Sequence, residues 1–577
     1  MQMIPRPEYP RPQYARPTWM NLNGTWQFEI DHGASGRARG MVEKEKLEGE
    51  ILVPFCPESK LSGVHNTDFM QSVWYRRTFT LPKDAEGKRV LLHFGAVDYK
   101  CEAWVNGQSV GVHEGGYVSF TFEITNALHE GENTLVVCAD DFMRMGRQPF
   151  GKQSDRYHSY GCSYTRTTGI WQTVWLEWVA PAYMKKARMI PDAMSGSLFL
   201  DVTVDGAAEG MEVEARALFN DMPQGVARVR VDGGHARMAI KVRDKYLWNV
   251  GEPNLYDLQL SLYDGEEAQD EVSSYFGLRT IGFDGKRCKI NGKTVFQRLI
   301  LDQGFYPDGI YTAPTDEALR RDIQLSLDMG FNGARLHQKV FEQRFLYWAD
   351  HMGYICWGEM PSWGIDPSKP HTLGIFLREW LESIDRDYNA PCIVGWCPWN
   401  ETWGESGDGM RNLTMQATYR ATKAADETRP VIDASGGTHV ETDIYDTHDY
   451  EQDPAVYKER YRPGAEFYDR LGERRQQHYN GTSPMFVSEY GGIRWTDDQA
   501  GWGYGVAPQS KEEFISRYTG LTEALLQNPE HMGFCYTQLT DVEQEQNGLY
   551  TYQRVPKFPP EVIARVNRQK AAIEEEE

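Results

Sequence analysis

Residues 319–358 read LRRDIQLSLDMGFNGARLHQKVFEQRFLYWADHMGYICWG. Leu319, Ile323 and Leu327 recur at helical spacing, and so do Phe341, Phe345, Trp348, Ala349 and Met352. Gly330 and Gly353 stand where helix C-terminal caps belong. Each stripe is followed by a short apolar run such as 354–358, and similar runs lie at 392–397, 431–434, 484–488 and 532–536. Helix and strand therefore alternate from about Phe283 onward, with about eight strands, which predicts a (β/α)₈ TIM barrel over 282–577. A doubly wound sheet is the competitor, but no G-x-G-x-x-G follows a strand, and GWGYG at 501–505 has the wrong spacing.

Upstream the grammar changes to short runs of Val, Phe, Trp and Thr broken by Gly and Asn. WVNGQSVGV at 104–112 alternates around Asn106-Gly107, a hairpin signal. Many such strands before Pro181 predict a β-sandwich jelly roll over 1–181. Over 182–281, Val229 and Val231 alternate with arginines, Asp232-Gly233-Gly234 turns the chain, and Ala236, Met238, Ile240 and Val242 alternate on the return. One dry face and one wet face over about 100 residues suit an immunoglobulin-like sandwich.

The 577 residues carry 61 basic and 83 acidic side chains, a formal net charge of −22. That balance argues against nucleic acid or an anionic membrane as partner. No run approaches the ~18 apolar residues of a membrane span. The Pro-rich N-terminus lacks an apolar signal core, and the nine cysteines are scattered without a CxxC pair, so a reduced, cytoplasmic protein is expected.

Chemistry in such barrels gathers at the C-terminal ends of the strands. Those ends offer Arg335 and His337 after strand 2, Glu359 after strand 3, Asn400-Glu401 after strand 4, Asp446 and His448 after strand 6, and Glu489 after strand 7. Glu401 and Glu489 face one another across the mouth, as glycoside cleavage requires: one carboxylic acid protonates the leaving oxygen while the other attacks the anomeric carbon. Trp399 and Trp403 would penalise the charged form of Glu401, and Arg335 would favour the ionised form of Glu489 if it reaches that residue rather than Glu359 alone. A retaining outcome needs the carboxyls roughly 5–5.5 Å apart. His337 and His448 read as polar lining, since no H-E-x-x-H or comparable metal spacing exists, and no cofactor is called for. Trp348 and Trp380 belong to helical stripes, whereas Trp363, Trp403, Trp495 and Trp502 lie in loops after strands, where they either stack on sugars or pin the loops. Taken alone, the residues also admit a non-catalytic carbohydrate-binding protein on a decayed barrel, or a scaffold.

At these positions the chain resembles glycoside hydrolase family two, the group of bacterial β-galactosidases, β-glucuronidases and β-mannosidases. The resemblance is carried by GFNGARLHQ (330–338), MGYICWGEMP (352–361), PCIVGWCPWNE (391–401) and MFVSEYGG (485–492). VNGQSVGVHEGGYVSFTFEIT (105–125), TGIWQTVWLE (168–177), LWNVGEPNLYDLQL (247–260) and FGLRTI (276–281) resemble its β domains. The resemblance implies a retaining exo-β-glycosidase with Glu401 as acid/base, Glu489 as nucleophile, Asn400 on the sugar 2-hydroxyl and Arg335 orienting Glu489. It implies a glycoside as partner, and homo-oligomers are common in the family. His337, Glu359, His448, Trp363, Trp495 and Gln538 complete the expected substrate lining. There are departures. His337-Gln338-Lys339-Val340 replaces the family's Ser-His-Tyr-Pro, Ser163 stands for a jelly-roll aspartate, and Thr537-Gln538 for a strand-8 aromatic. Glu545-Gln546-Asn547 replaces the Asn-x-Lys pair of typical β-glucuronidases, leaving Lys339, Arg494 or Arg554 as sources of positive charge. A β-galactoside is therefore the first expectation, and a β-uronide, galacturonide or glucuronide, the second.

Overall fold

The computed structural model describes residues 4–404, 409–467, 477–496 and 501–574. The N-terminal body packs two antiparallel sheets. Six strands run in the order Gly49–Val53, Gly24–Ile30, Ser72–Thr80, Glu132–Asp140, Lys100–Val105, Gln108–Glu114. Four run in the order Trp19–Asn21, Val174–Val179, Arg89–Phe94, Phe120–Glu123. Their inward residues, among them Trp26, Tyr75, Leu92, Val137 and Trp178, form one core. The hairpin at 106–107 is present, with φ of 51° at Asn106 and 79° at Gly107. Both values lie in the left-handed region that a two-residue hairpin turn demands.

The second body is also a sandwich, and the turn at 232–234 links its two sheets. Met222–Arg230 and His235–Lys241 do not pair as a hairpin: the first joins Glu212–Phe219, Tyr256–Asp264 and Glu267–Phe276, and the second joins Ser197–Asp205 and Tyr183–Asp192. Asp232-Gly233-Gly234 carries the chain from one sheet to the facing one, with a lone bridge between Asp232 and His235. Both strands alternate because both point into the same core, from opposite sides.

In the third body seven parallel strands curl in the order Ile393–Cys397, Ile355–Glu359, Gly333–Leu336, Gln297–Asp302, His531–Thr537, Met485–Gly491, Tyr445–Asp449. The remaining gap is closed by Ala434–Ser435, which pairs in parallel with Trp399–Asn400, and by a parallel bridge from Trp396 to Val431. Between strands lie amphipathic helices, including Asp316–Asp328, capped by the Thr315 hydroxyl on the Ala318 N–H, and Lys511–Leu526, capped likewise by Ser510 on Glu513. Leu319, Ile323 and Trp380 are buried beneath them, with Trp348 partly so.

The jelly roll reaches over the barrel mouth through its 146–168 segment. Gln544 Nε2 donates to the carbonyls of Gly161 (2.8 Å) and Ser163 (3.0 Å), Tyr164 Oη donates to the Glu545 carboxylate, and Phe150 N–H donates to the Trp363 carbonyl at 2.8 Å. Gly151, at φ 59°, passes so close to the barrel that a Cβ would stand 2.3 Å from the Gln338 carbonyl oxygen. Only glycine fits that approach. No helix among the described residues is long and apolar enough to cross a membrane.

Candidate active site

Strand ends from all around the barrel converge on Arg335, whose guanidinium is fully buried. Its Nη1 donates to Glu489 Oε1 (3.0 Å) and the Ser488 carbonyl (2.9 Å). Its Nη2 donates to Glu359 Oε2 (2.8 Å) and Asn400 Oδ1 (3.0 Å). Arg335 thus joins Glu359 and Glu489 together rather than choosing between them. A planar five-donor fork is the side chain that can do this. The other Glu359 oxygen lies 2.9 Å from His337 Nδ1 and accepts from the Gln338 N–H at 3.1 Å. Burial works against the Glu359 charge, yet Arg335 and His337 together hold its pKa below the ordinary carboxylate range.

Asn400 is oriented by Arg335 through its carbonyl oxygen, while its buried Nδ2 has no partner. An amide with one end clamped and the other open is set to donate to a ligand.

Glu401 follows in left-handed backbone conformation (φ 46°), its N–H bonded to the Ser435 carbonyl at 2.7 Å. This bend aims the carboxylate into the mouth, where it is 18% exposed against 4% for Glu489. His448 Nδ1 sits between the two acids, 2.8 Å from Glu401 Oε1 and 3.3 Å from Glu489 Oε2. Its Nε2 lies 3.0 Å from Ser435 Oγ, which in turn donates to Asp446 Oδ2 at 2.9 Å. Burial disfavours the His448 charge, but Glu489 and Glu401 raise its pKa above 6.5. Oxygen atoms of Glu401 and Glu489 and the imidazole nitrogen all lie within 4.8 Å of one another. These three are the one group among the described residues spaced to hold a metal ion, and their mutual hydrogen bonds account for that spacing.

Glu489 is the more strongly conditioned acid. Burial alone would raise its pKa, but His448, His337, Arg335 and Lys152 overcome that penalty and leave it far below the ordinary value. Tyr450 Oη donates to Glu489 Oε2 at 2.5 Å and lies 3.1 Å from Thr537 Oγ1. Its ring stacks on Tyr504 with centroids 3.4 Å apart.

The remaining expected residues divide. Trp363 is at the site: its Nε1 donates to the Asn400 carbonyl at 3.3 Å. Gln538 is buried in a side-chain chain, accepting from Gln303 and donating to Asn547, each at 2.8 Å. Trp495 packs against Phe514 and Phe558, so the structure favours its loop-pinning role over stacking on a ligand. Two suggested sources of positive charge are corrected. Lys339 Nζ is buried and donates to the carbonyls of Gly304 and Tyr311, and burial lowers its pKa to about 7. Arg554 forms a two-point ion pair with Asp322 beneath the mouth.

Sequence reasoning missed Tyr450 and Lys152. Tyr450 lies two residues beyond His448, and strand periodicity would have carried it to the same face. Lys152 sits on a jelly-roll loop with no periodic signal at all.

A profile described as the sugar binding domain of glycosyl hydrolases family 2 matches residues 61–176, a second family 2 profile matches 196–279, and the family 2 TIM barrel profile matches 313–495. The chain belongs to glycosyl hydrolase family 2. Among relatives of this family 2 chain, a Paenibacillus borealis protein named beta-glucuronidase is 23% identical over 93% of this chain and 94% of its own. A Thermoanaerobacter pseudethanolicus protein named beta-galactosidase is 27% identical over 65% of this chain. The family 2 chain spans about half the length of several curated relatives, 49% of that protein and 50% of one from Formosa agariphila. The solved Bifidobacterium dentium beta-glucuronidase shares the fold, with a TM-score of 0.78, 20% identity, and 96% and 97% of the two chains covered.

Proposed function

We propose that the protein is a retaining exo-β-glycosidase. The observation that carries this reading is the pair Glu401 and Glu489, within 4.8 Å of each other and in contrasting surroundings. In the first step a Glu489 oxygen attacks the anomeric carbon as the glycosidic C–O bond breaks, and Glu401 gives its proton to the departing oxygen. In the second, Glu401 takes a proton from water, the hydroxide oxygen bonds to the anomeric carbon, and the ester to Glu489 breaks. Two inversions return the original configuration. Arg335, Tyr450 and His448 keep Glu489 anionic without protonating it, and Asn400 Nδ2 donates to a sugar hydroxyl. The jelly-roll segment across the mouth supports action on a terminal sugar rather than within a long chain.

For the glycone, a β-uronide is supported by the near-full-length match to a relative named beta-glucuronidase. A β-galactoside is the second reading. It is favoured by the relative named beta-galactosidase. Nitrophenyl β-glucuronide, β-galacturonide, β-galactoside, β-glucoside and β-mannoside, with NMR observation of the first-formed anomer, test both levels. β-Product from a uronide is expected. α-Product overturns retention, galactoside turnover alone overturns the uronide reading, and sugar binding without turnover of any substrate supports the non-catalytic alternative.

Tyr450→Phe removes a hydrogen bond made to charged Glu489. The carboxylate pKa rises, so the acid-side fall of kcat/KM begins at higher pH, and kcat drops roughly 100-fold. A pH–rate profile with an unmoved acid limb removes Tyr450 from this role.

A further inference from the structure

Lys152 is 6% exposed and stands on a loop of the jelly roll rather than on the barrel. The loop has little freedom to move it. Phe150 and Gly151 N–H groups donate to the Trp363 carbonyl at 2.8 and 3.2 Å, and the Lys152 carbonyl accepts from Tyr164 N–H at 2.8 Å. The ammonium nitrogen lies 3.9 Å from the centroid of the Trp363 ring. Trp363 is itself tied to the Asn400 carbonyl, one residue before Glu401.

What Lys152 lacks is an anion. No ion pair within 4.0 Å involves its Nζ among the described residues. Burial pulls its pKa down, but Cys162, close enough to hydrogen-bond it, and the more distant Glu545, Glu401 and Glu489 raise it above the ordinary lysine value and keep it charged. An ammonium has three N–H donors, and one thiol and one aromatic face leave this buried cation without a charged acceptor in contact. Neighbouring cations are already engaged: Arg335 by Glu489, Glu359 and Asn400, His448 by the two acids, Lys339 by backbone carbonyls, and Arg554 by Asp322.

We infer that Lys152 is a specificity-determining residue, contributed across the domain boundary, whose ammonium receives the carboxylate of a uronide glycone. The inference rests on the uronide reading above. A neutral sugar offers only hydroxyls at that place, and a hydrogen bond between two charged groups is the stronger contact. Trp363 fixes the cation from one side, so the carboxylate meets it in one orientation relative to Glu401 and Glu489.

The test compares kcat/KM of the full-length wild type and Lys152→Met on a nitrophenyl β-uronide and on the matching neutral hexoside. The uronide-to-hexoside ratio is expected to fall roughly 100-fold in the variant, with most of the change in KM. Lys152→Arg is expected to recover part of the ratio, and it serves as the second variant if the methionine chain does not fold. Uronide turnover by the wild type with an unchanged ratio in both variants overturns the Lys152 role alone. No uronide turnover by the wild type overturns the uronide reading, and with it this inference.

Discussion

Glu489→Ala is expected to lower kcat on aryl β-glycosides by at least ~10⁴-fold, because no other described carboxylate lies where Glu489 meets Arg335 and Tyr450. Added azide is expected to restore part of the turnover. A small anion fits the space left by the carboxymethyl group and is attracted by Arg335 and His448. It would attack the anomeric carbon from the face Glu489 used, so the rescued product is an α-glycosyl azide. NMR of that product distinguishes this from hydrolysis by stray water. Turnover within a few-fold of wild type, or a β-azide, would sink the nucleophile assignment.

Arg335→Met is expected to cost about 3–5 kcal/mol of barrel stability at neutral pH, since it leaves buried carboxylates without their cation. The sign of its pH dependence follows from the two acids. Glu359 and Glu489 have depressed pKa values in the folded chain, so their stabilising contribution is present above their unfolded pKa of about 4.3 and is lost as pH falls toward the folded values. In the variant both values rise, the carboxylates protonate earlier, and the penalty of burying them charged disappears in acid. The difference between wild type and variant should therefore be largest near pH 7 and shrink below pH ~4. Urea unfolding followed by tryptophan fluorescence at both pH values measures it. An equal loss at both would mean that Arg335 acts through packing rather than charge.

Much of this arrangement was legible because barrel geometry turns sequence order into position. Glu401 and Glu489 each close an apolar strand, and knowing the strand number places them across the mouth from one another. Arg335 was legible for the same reason, although its grip on Glu359, Glu489 and Asn400 together was not, since spacing along a chain does not reveal how many partners a fork can hold. The alternation at 228–242 named the buried faces of two strands but not their pairing: period two reports which side is dry, not which sheet a strand joins. Lys339 and Arg554 looked available because cations near strand ends usually face solvent. Here the fold spends one on backbone carbonyls and the other on Asp322. Lys152 was invisible because its neighbours at the site, Trp363 and Glu545, come from loops hundreds of residues later.

The Gly151 approach to the Gln338 carbonyl has a consequence for how such a protein diversifies. The segment that walls the mouth is anchored by the Phe150 N–H, the Gly161 and Ser163 carbonyls, the Tyr164 hydroxyl on Glu545 and one residue that tolerates no side chain, with its other cavity-facing side chains outside that anchor. Those side chains are free to vary while the anchor stays put, and none of them lies on a barrel strand. Sugar preference on this scaffold can then change by substitutions in a neighbouring module, leaving the bond-breaking apparatus untouched. An isolated barrel would carry the two acids and still lack one side of its own cavity.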